Sequence, residues 1–109
     1  MNLLAKKCVP CEVGGAPLKS EEIQGLVLSF ASDWKVKDNL RLIRKFKYKD
    51  FVHAMKFVNK VADLAEAEGH HPDFHIHYNE VTIELWTHAV GGLSENDFIV
   101  AAKIDAMES

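Results

Sequence analysis

Apolar residues recur at helical spacing through Ile23, Leu26, Val27 and Phe30, with Ser20, Glu21 and Glu22 just ahead of them. A serine oxygen can accept from the free N–H groups at a helix start, and acidic side chains suit the positive end of its dipole. The pattern therefore predicts a first helix from Ser20 to about Ser32. From Trp34 to Val36 and from Leu40 to Tyr48 the period changes to two. Leu40, Leu42, Phe46 and Tyr48 share one parity and Lys45 and Lys47 the other, which predicts two strands joined by a turn at Asp38-Asn39. Phe51, Met55, Val58, Ala62 and Ala65 then form one stripe, with Asp50 as N-cap and Gly69 as terminator, so a helix of about five turns is expected. Phe74, Ile76 and Tyr78 alternate with His75 and His77. Beyond a tight turn at Asn79-Glu80, Val81, Ile83 and Leu85 alternate with Thr82, Glu84, Trp86 and His88, which predicts a hairpin. Gly91-Gly92 interrupts it, and Ser94-Glu95-Asn96-Asp97 resembles a capping box opening a last helix through Phe98 to Met107.

The resulting order, α-β-β-α-β-β-α, lacks the strict alternation of a parallel sheet. It predicts an α+β fold, a four-stranded antiparallel sheet with helices packed on one face. Residues 1–19 hold two of the three prolines and two of the six glycines and are expected to be an irregular N-terminal leader, with residues 20–109 as a single domain.

Composition narrows the function. A chain of 109 residues that is 48% hydrophobic can build its own core without disulfide or metal staples. Thirteen Lys plus Arg against sixteen Asp plus Glu, net charge -3, disfavour a general nucleic-acid binder. The basic residues between Arg41 and Lys49 read as a solvated strand face. No apolar run approaches the ~20 residues that span a bilayer, and Met1 to Lys7 lacks the apolar region of a secretory signal, so a soluble intracellular protein is expected. Two cysteines fit a reducing compartment. Cys8 and Cys11 look like half a zinc ribbon but lack a second pair, and no strand precedes them as a thioredoxin-type motif requires. A structural leader is the expected role.

The feature that stands out is the histidines, six in all, with His70, His71, His75 and His77 inside eight residues and His88 beyond. Glu66 and His70 are four apart, a spacing at which a helical carboxylate can orient an imidazole. Pro72 biases His71 to an extended backbone, which separates the two adjacent rings. Asp97 is a candidate orienting carboxylate for His88. Two histidines, each with a carboxylate, can move one proton on and one proton off near neutral pH.

Glu66-Ala67-Glu68-Gly69-His70-His71-Pro72, followed by Tyr78, His88 and Asp97 at intervals of five, nine and eight intervening residues, resembles the signature of the pterin-4a-carbinolamine dehydratases. The resemblance extends from about Cys8 to Ile104, and takes in Cys8-Val9-Pro10-Cys11, Trp34, the Phe46 to Phe51 segment and Gly92-Leu93-Ser94. It implies dehydration of 4a-hydroxytetrahydropterin to quinonoid dihydropterin, which recycles the pterin of aromatic amino acid hydroxylases, with no metal and no organic cofactor. Carried over by position, His70, His71 and His88 line the pterin site and Glu66 and Asp97 stand behind His70 and His88. Trp34 forms an apolar wall, and Pro72 and Thr87 support the site. His70 and His88 are assigned to the proton transfers, in either order, and His71 to holding the pterin. Many relatives carry an acidic residue where this chain has Gly69 and a small residue where it has Trp86.

The resemblance further implies a small-molecule pterin substrate, a homodimer or homotetramer, no nucleic-acid or membrane partner, and a cytoplasmic location with nuclear presence left open. Some family members also bind a homeodomain transcription factor, so a coregulator role is one alternative. Another is a metal enzyme of cupin type, since Gly69, His75-Ile76-His77, Glu84 and Gly91 approach its motif. The interval from His77 to Glu84 is too long for that motif, and the helical half of the chain leaves too few strands. His53, His75 and His77 read as ordinary strand or helix residues.

Overall fold

The computed structural model describes residues 17–28 and 34–107. Helix α1 spans Ser20–Leu28, β1 Lys35–Lys37, β2 Arg41–Lys47, α2 Phe51–Glu68, β3 Asp73–His77, β4 Glu80–Leu85 and α3 Glu95–Met107. The expected order and fold class are both observed. The cysteine pair, Gly14-Gly15, Phe30 and the expected helix end at Ser32 lie outside the described residues. Residues 17–19 are irregular, and the Leu18 N–H donates to the Leu93 carbonyl at 2.8 Å.

The four strands form one antiparallel sheet in the order β1-β2-β4-β3. Leu42 faces Leu85 and Phe46 faces Val81 across the central pair, and all four are buried. Onto this face pack Ala54, Phe57 and Val61 of α2, Ile23 and Leu26 of α1, and Phe98, Ile99 and Ile104 of α3. The other parity, including Lys45, Thr82, Glu84, His75 and His77, lies on the face opposite these helices. This follows from the two-residue period of a strand. Cross-strand ion pairs between Arg41 and Glu84 and between Lys45 and Glu80 neutralise part of the basic run there.

Several expectations shift by one position. The buried stripe of α2 is Ala54, Phe57, Val61 and Ala65, whereas Phe51 is 47% exposed. Two helical registers about 100° apart satisfy the same apolar spacing. Phe57 selects one by packing on Phe46, with ring centroids 4.6 Å apart, and on Tyr48 at 5.2 Å. In α1 the cap is Lys19, whose N–H donates to Glu22 at 3.0 Å, so Ser20 is already helical. The β3–β4 turn is Tyr78-Asn79, with Tyr78 at φ 52°, and Glu80 belongs to the strand. Strand β4 stops at Leu85, so His88 lies not on a strand but in a single 3₁₀ turn, His88–Val90. Asp50 and Gly69 cap α2 as expected. The Asp50 carboxylate accepts from the His53 N–H at 2.9 Å, and Gly69 adopts the left-handed conformation at φ 67°, ψ 25°.

Candidate active site

A cleft of about 720 Å³ opens where the C-terminal end of α2 meets the end of β4. Residues 66–73 form one wall, residues 86–89 the other, and Asn96 contributes from α3. His70 and His71, and His88 well beyond them in the chain, all line it.

Behind His70 lies Asp97, whose side chain is 0% exposed. It sits in the first turn of α3, where the free N–H groups and the helix dipole favour a carboxylate. Oδ2 accepts from the Ser94 backbone N–H and from the Thr87 hydroxyl, both at 2.9 Å. The Ser94 contact is half of a capping box, as Ser94-x-x-Asp97 suggests. The Thr87 and Ser94 hydroxyls are 2.7 Å apart. Oδ1 lies 2.6 Å from Nε2 of His70, an imidazole only 12% exposed. With the Asp97 carboxylate as acceptor, Nε2 carries the hydrogen, and the Nδ1 of a neutral His70 ring keeps its lone pair.

The carboxylate partners thus differ from those expected. Glu66 is not behind His70. It lies 3.6 Å from Nε2 of His71, beyond hydrogen-bond reach, and both side chains are largely exposed. The four-residue spacing orients an imidazole only along a continuous helix, and Gly69 turns the chain out of α2 before His70. Nor does Asp97 serve His88. The buried parity of β4 runs on through Leu85 to Thr87, which is 4% exposed and takes the carboxylate. His88 shares parity with Trp86 and is exposed, its ring centroid 3.8 Å from that of the indole. Those parities were legible in the sequence.

Trp34 is not brought to the cleft. It is buried in the core, edge-on to Phe46, and its indole N–H donates to Asp105 of α3 at 2.8 Å. Arg44, on the core-facing parity of β2, bonds the same carboxylate and lies over the Phe46 ring, so this cluster ties α3 to the sheet. Pro72, next to His71 in the chain, is buried and lines the cleft. Trp86 lines the cleft where Trp34 does not. A further tether, unread in the sequence, is the Lys103–Glu68 ion pair at 2.8 Å, which joins α3 to the end of α2 beside the cleft. His75 bonds Glu84 at 2.7 Å on the open face, and no trio of His, Cys, Asp or Glu converges to hold a metal among the described residues. No helix among them is long and apolar enough to cross a membrane.

The chain is similar to several known proteins. A protein of Alkaliphilus metalliredigens named "Putative pterin-4-alpha-carbinolamine dehydratase" is 45% identical over 99% of this chain and 97% of its own length. An Arabidopsis thaliana protein named "Pterin-4-alpha-carbinolamine dehydratase 2, mitochondrial" is 44% identical over 98% of this chain and 59% of that protein. Among solved structures, a transcriptional coactivator/pterin dehydratase from Brucella melitensis superposes with a TM-score of 0.78. It is 32% identical, over 85% of this chain and 99% of that one. A pterin dehydratase-like RuBisCO assembly factor of the alpha-carboxysome shares the fold, with a TM-score of 0.60 at 23% identity over 70% of this chain and 89% of that one. Residues 16–107 match the family described as pterin 4 alpha carbinolamine dehydratase, and the chain belongs to that family.

Proposed function

We propose that this protein dehydrates 4a-hydroxytetrahydropterin to quinonoid dihydropterin by histidine acid/base catalysis, recycling the pterin of aromatic amino acid hydroxylases. The observation that carries the reading is the buried Asp97 carboxylate 2.6 Å from His70, an imidazole that lines a cleft together with His71 and His88. The reaction needs one proton delivered and one removed. The 4a-hydroxyl takes a proton and leaves as water, and the adjacent ring nitrogen gives up its proton as the carbon–nitrogen double bond forms. A carboxylate behind an imidazole fixes its tautomer and stabilises the imidazolium formed when the ring takes a proton. That supports His70 as the base, through Nδ1. His88, exposed, is then the acid, and His71, whose Glu66 neighbour at 3.6 Å is beyond hydrogen-bond reach, binds the pterin. Both transfers fall in the range where imidazoles work, and each is typically worth ~10²–10⁴ in rate.

A homodimer or homotetramer goes with this reading, because β3 is an edge strand carrying Ile76, 38% exposed, with Tyr78 beside it at 65%. Pairing of such an edge removes unpaired backbone groups from solvent. A monomer in sedimentation at micromolar concentration would contradict it. A cytoplasmic location is the companion proposal, tested by fractionation of cells expressing the tagged chain. The activity is tested by generating the carbinolamine chemically and following its loss with and without protein, the spontaneous rate subtracted. Turnover by protein free of co-purifying partners supports the enzyme over a coregulator role. Loss at the spontaneous rate alone would refute the proposal.

A further inference from the structure

Among the described residues no carboxylate holds the His88 ring as Asp97 holds that of His70. His88 is exposed, sits in a 3₁₀ turn rather than on a strand, and the carboxylate expected behind it belongs to His70. Its ring lies against Trp86, centroids 3.8 Å apart and planes at 41°. The indole is itself fixed from two sides. Its N–H donates to Asp73 at 3.2 Å, and the Arg41 guanidinium lies over its ring at 5.1 Å, held in turn by Glu84 at 3.1 Å. These groups come from β2, β3 and β4, so the rigid sheet fixes the indole and the indole faces the loop histidine. We infer that Trp86 is a positioning residue for His88, an aromatic brace that does for this ring what Asp97 does for His70.

The physical basis is that an exposed imidazole on a short turn samples several rotamers, and contact with a fixed aromatic face restricts them while leaving both ring nitrogens free to exchange protons. A carboxylate partner would occupy one nitrogen, whereas a ring face occupies neither. The same face also attracts a cationic imidazole, so the brace holds the ring in both protonation states. This inference rests on the dehydratase reading of the cleft only for its consequence in turnover, and the contact itself is tested separately.

Two measurements on the full chain decide it. In the first, the His88 imidazole C–H signals are followed by NMR in wild type, Trp86→Phe and Trp86→Leu, with each variant's fold checked by circular dichroism. Indole and phenyl rings shift a stacked proton upfield, so the displacement is expected in wild type, partly kept in Trp86→Phe and lost in Trp86→Leu. Unmoved His88 signals in Trp86→Leu overturn the brace, whether or not the protein is a dehydratase. In the second, turnover is read in a double-mutant cycle. Trp86→Leu is expected to lower kcat roughly three- to tenfold with little change in KM, and Trp86→Phe to restore most of it. In a His88→Ala background the same substitution should have no further effect, because a residue that acts through His88 has nothing left to position. An equal loss in both backgrounds, or a loss confined to KM, refutes the positioning role. Absence of carbinolamine turnover in wild type defeats the dehydratase reading and leaves the NMR result to decide the brace.

Discussion

Replacing Asp97 by Asn changes one atom of the side chain and tests the proposed base most directly. The carboxylate accepts three hydrogen bonds, from the Ser94 N–H and Thr87 hydroxyl on Oδ2 and from His70 on Oδ1. The amide keeps one oxygen. If that oxygen stays with Ser94 and Thr87, two bonds survive and the NH₂ group meets Nε2 of His70. That nitrogen must then accept, which drives the ring to the opposite tautomer and puts the hydrogen on Nδ1. The bond to His70 becomes a neutral one, and since bonds to charged groups are typically worth about 1.5–3 kcal/mol against about 0.5–1.5 for neutral ones, a loss of about 1 kcal/mol or more is expected, or roughly 4–8 °C in melting temperature for each kcal/mol in a domain of this size. The kinetic loss is the larger effect, because a base in the wrong tautomer cannot take the proton, and ~10²-fold or more in kcat is expected. Carbinolamine turnover with the spontaneous rate subtracted gives the rate, and long-range ¹H–¹⁵N NMR of His70 gives the tautomer. An Asp97→Asn protein that is folded, retains the Nε2–H tautomer and turns over within about twofold of wild type would falsify this account.

Three further outcomes follow from the same geometry. His70→Ala and His88→Ala should each lower kcat by ~10²-fold or more, and together by less than the product of the two, whereas His71→Ala should raise KM more than it lowers kcat; near-normal turnover in the double variant would remove the pair from the chemistry. Gly69→Ala should destabilise the fold by about 1 kcal/mol, because φ 67° strains any Cβ although space around it is open, and Gly69→Asn should cost less. Equal melting temperatures for the Ala and Asn variants would contradict that. The Asp50 carboxyl is held below its ordinary value, mainly by the His53 backbone N–H and then by the His53 side chain. A depressed carboxyl contributes stability above its unfolded value and loses it as pH falls through the folded one, so the difference in melting temperature between wild type and Asp50→Ala should be constant near neutrality and shrink below about pH 3.8. A difference independent of pH would rule out the charged cap.

Sequence alone determined the order of elements, the sheet class and the strand parities, because these rest on periods of 3.6 and 2 that any half-buried helix or strand must satisfy. It also marked His70, His71, His88 and Asp97, whose spacing is a property of the chain, as candidates, and Thr87 through the family resemblance. What it left undetermined was pairing across distance. Asp97 was read toward His88 and belongs to His70, since only the packing of α3 against the end of β4 decides which ring the buried carboxylate meets. Glu66 was read by helical spacing toward His70, but the left-handed turn at Gly69 carries His70 out of that register. The stripe of α2 had two solutions in sequence, and the contact of Phe57 with Phe46 and Tyr48 chose one. Trp34, a tryptophan beside a strand, was equally compatible with cleft and core until Asp105 of α3 came within reach of its indole N–H. Local period is written in neighbouring residues. Which distant group fills a hydrogen bond or covers a ring depends on how helices settle on the sheet, and that is decided by packing over the whole domain.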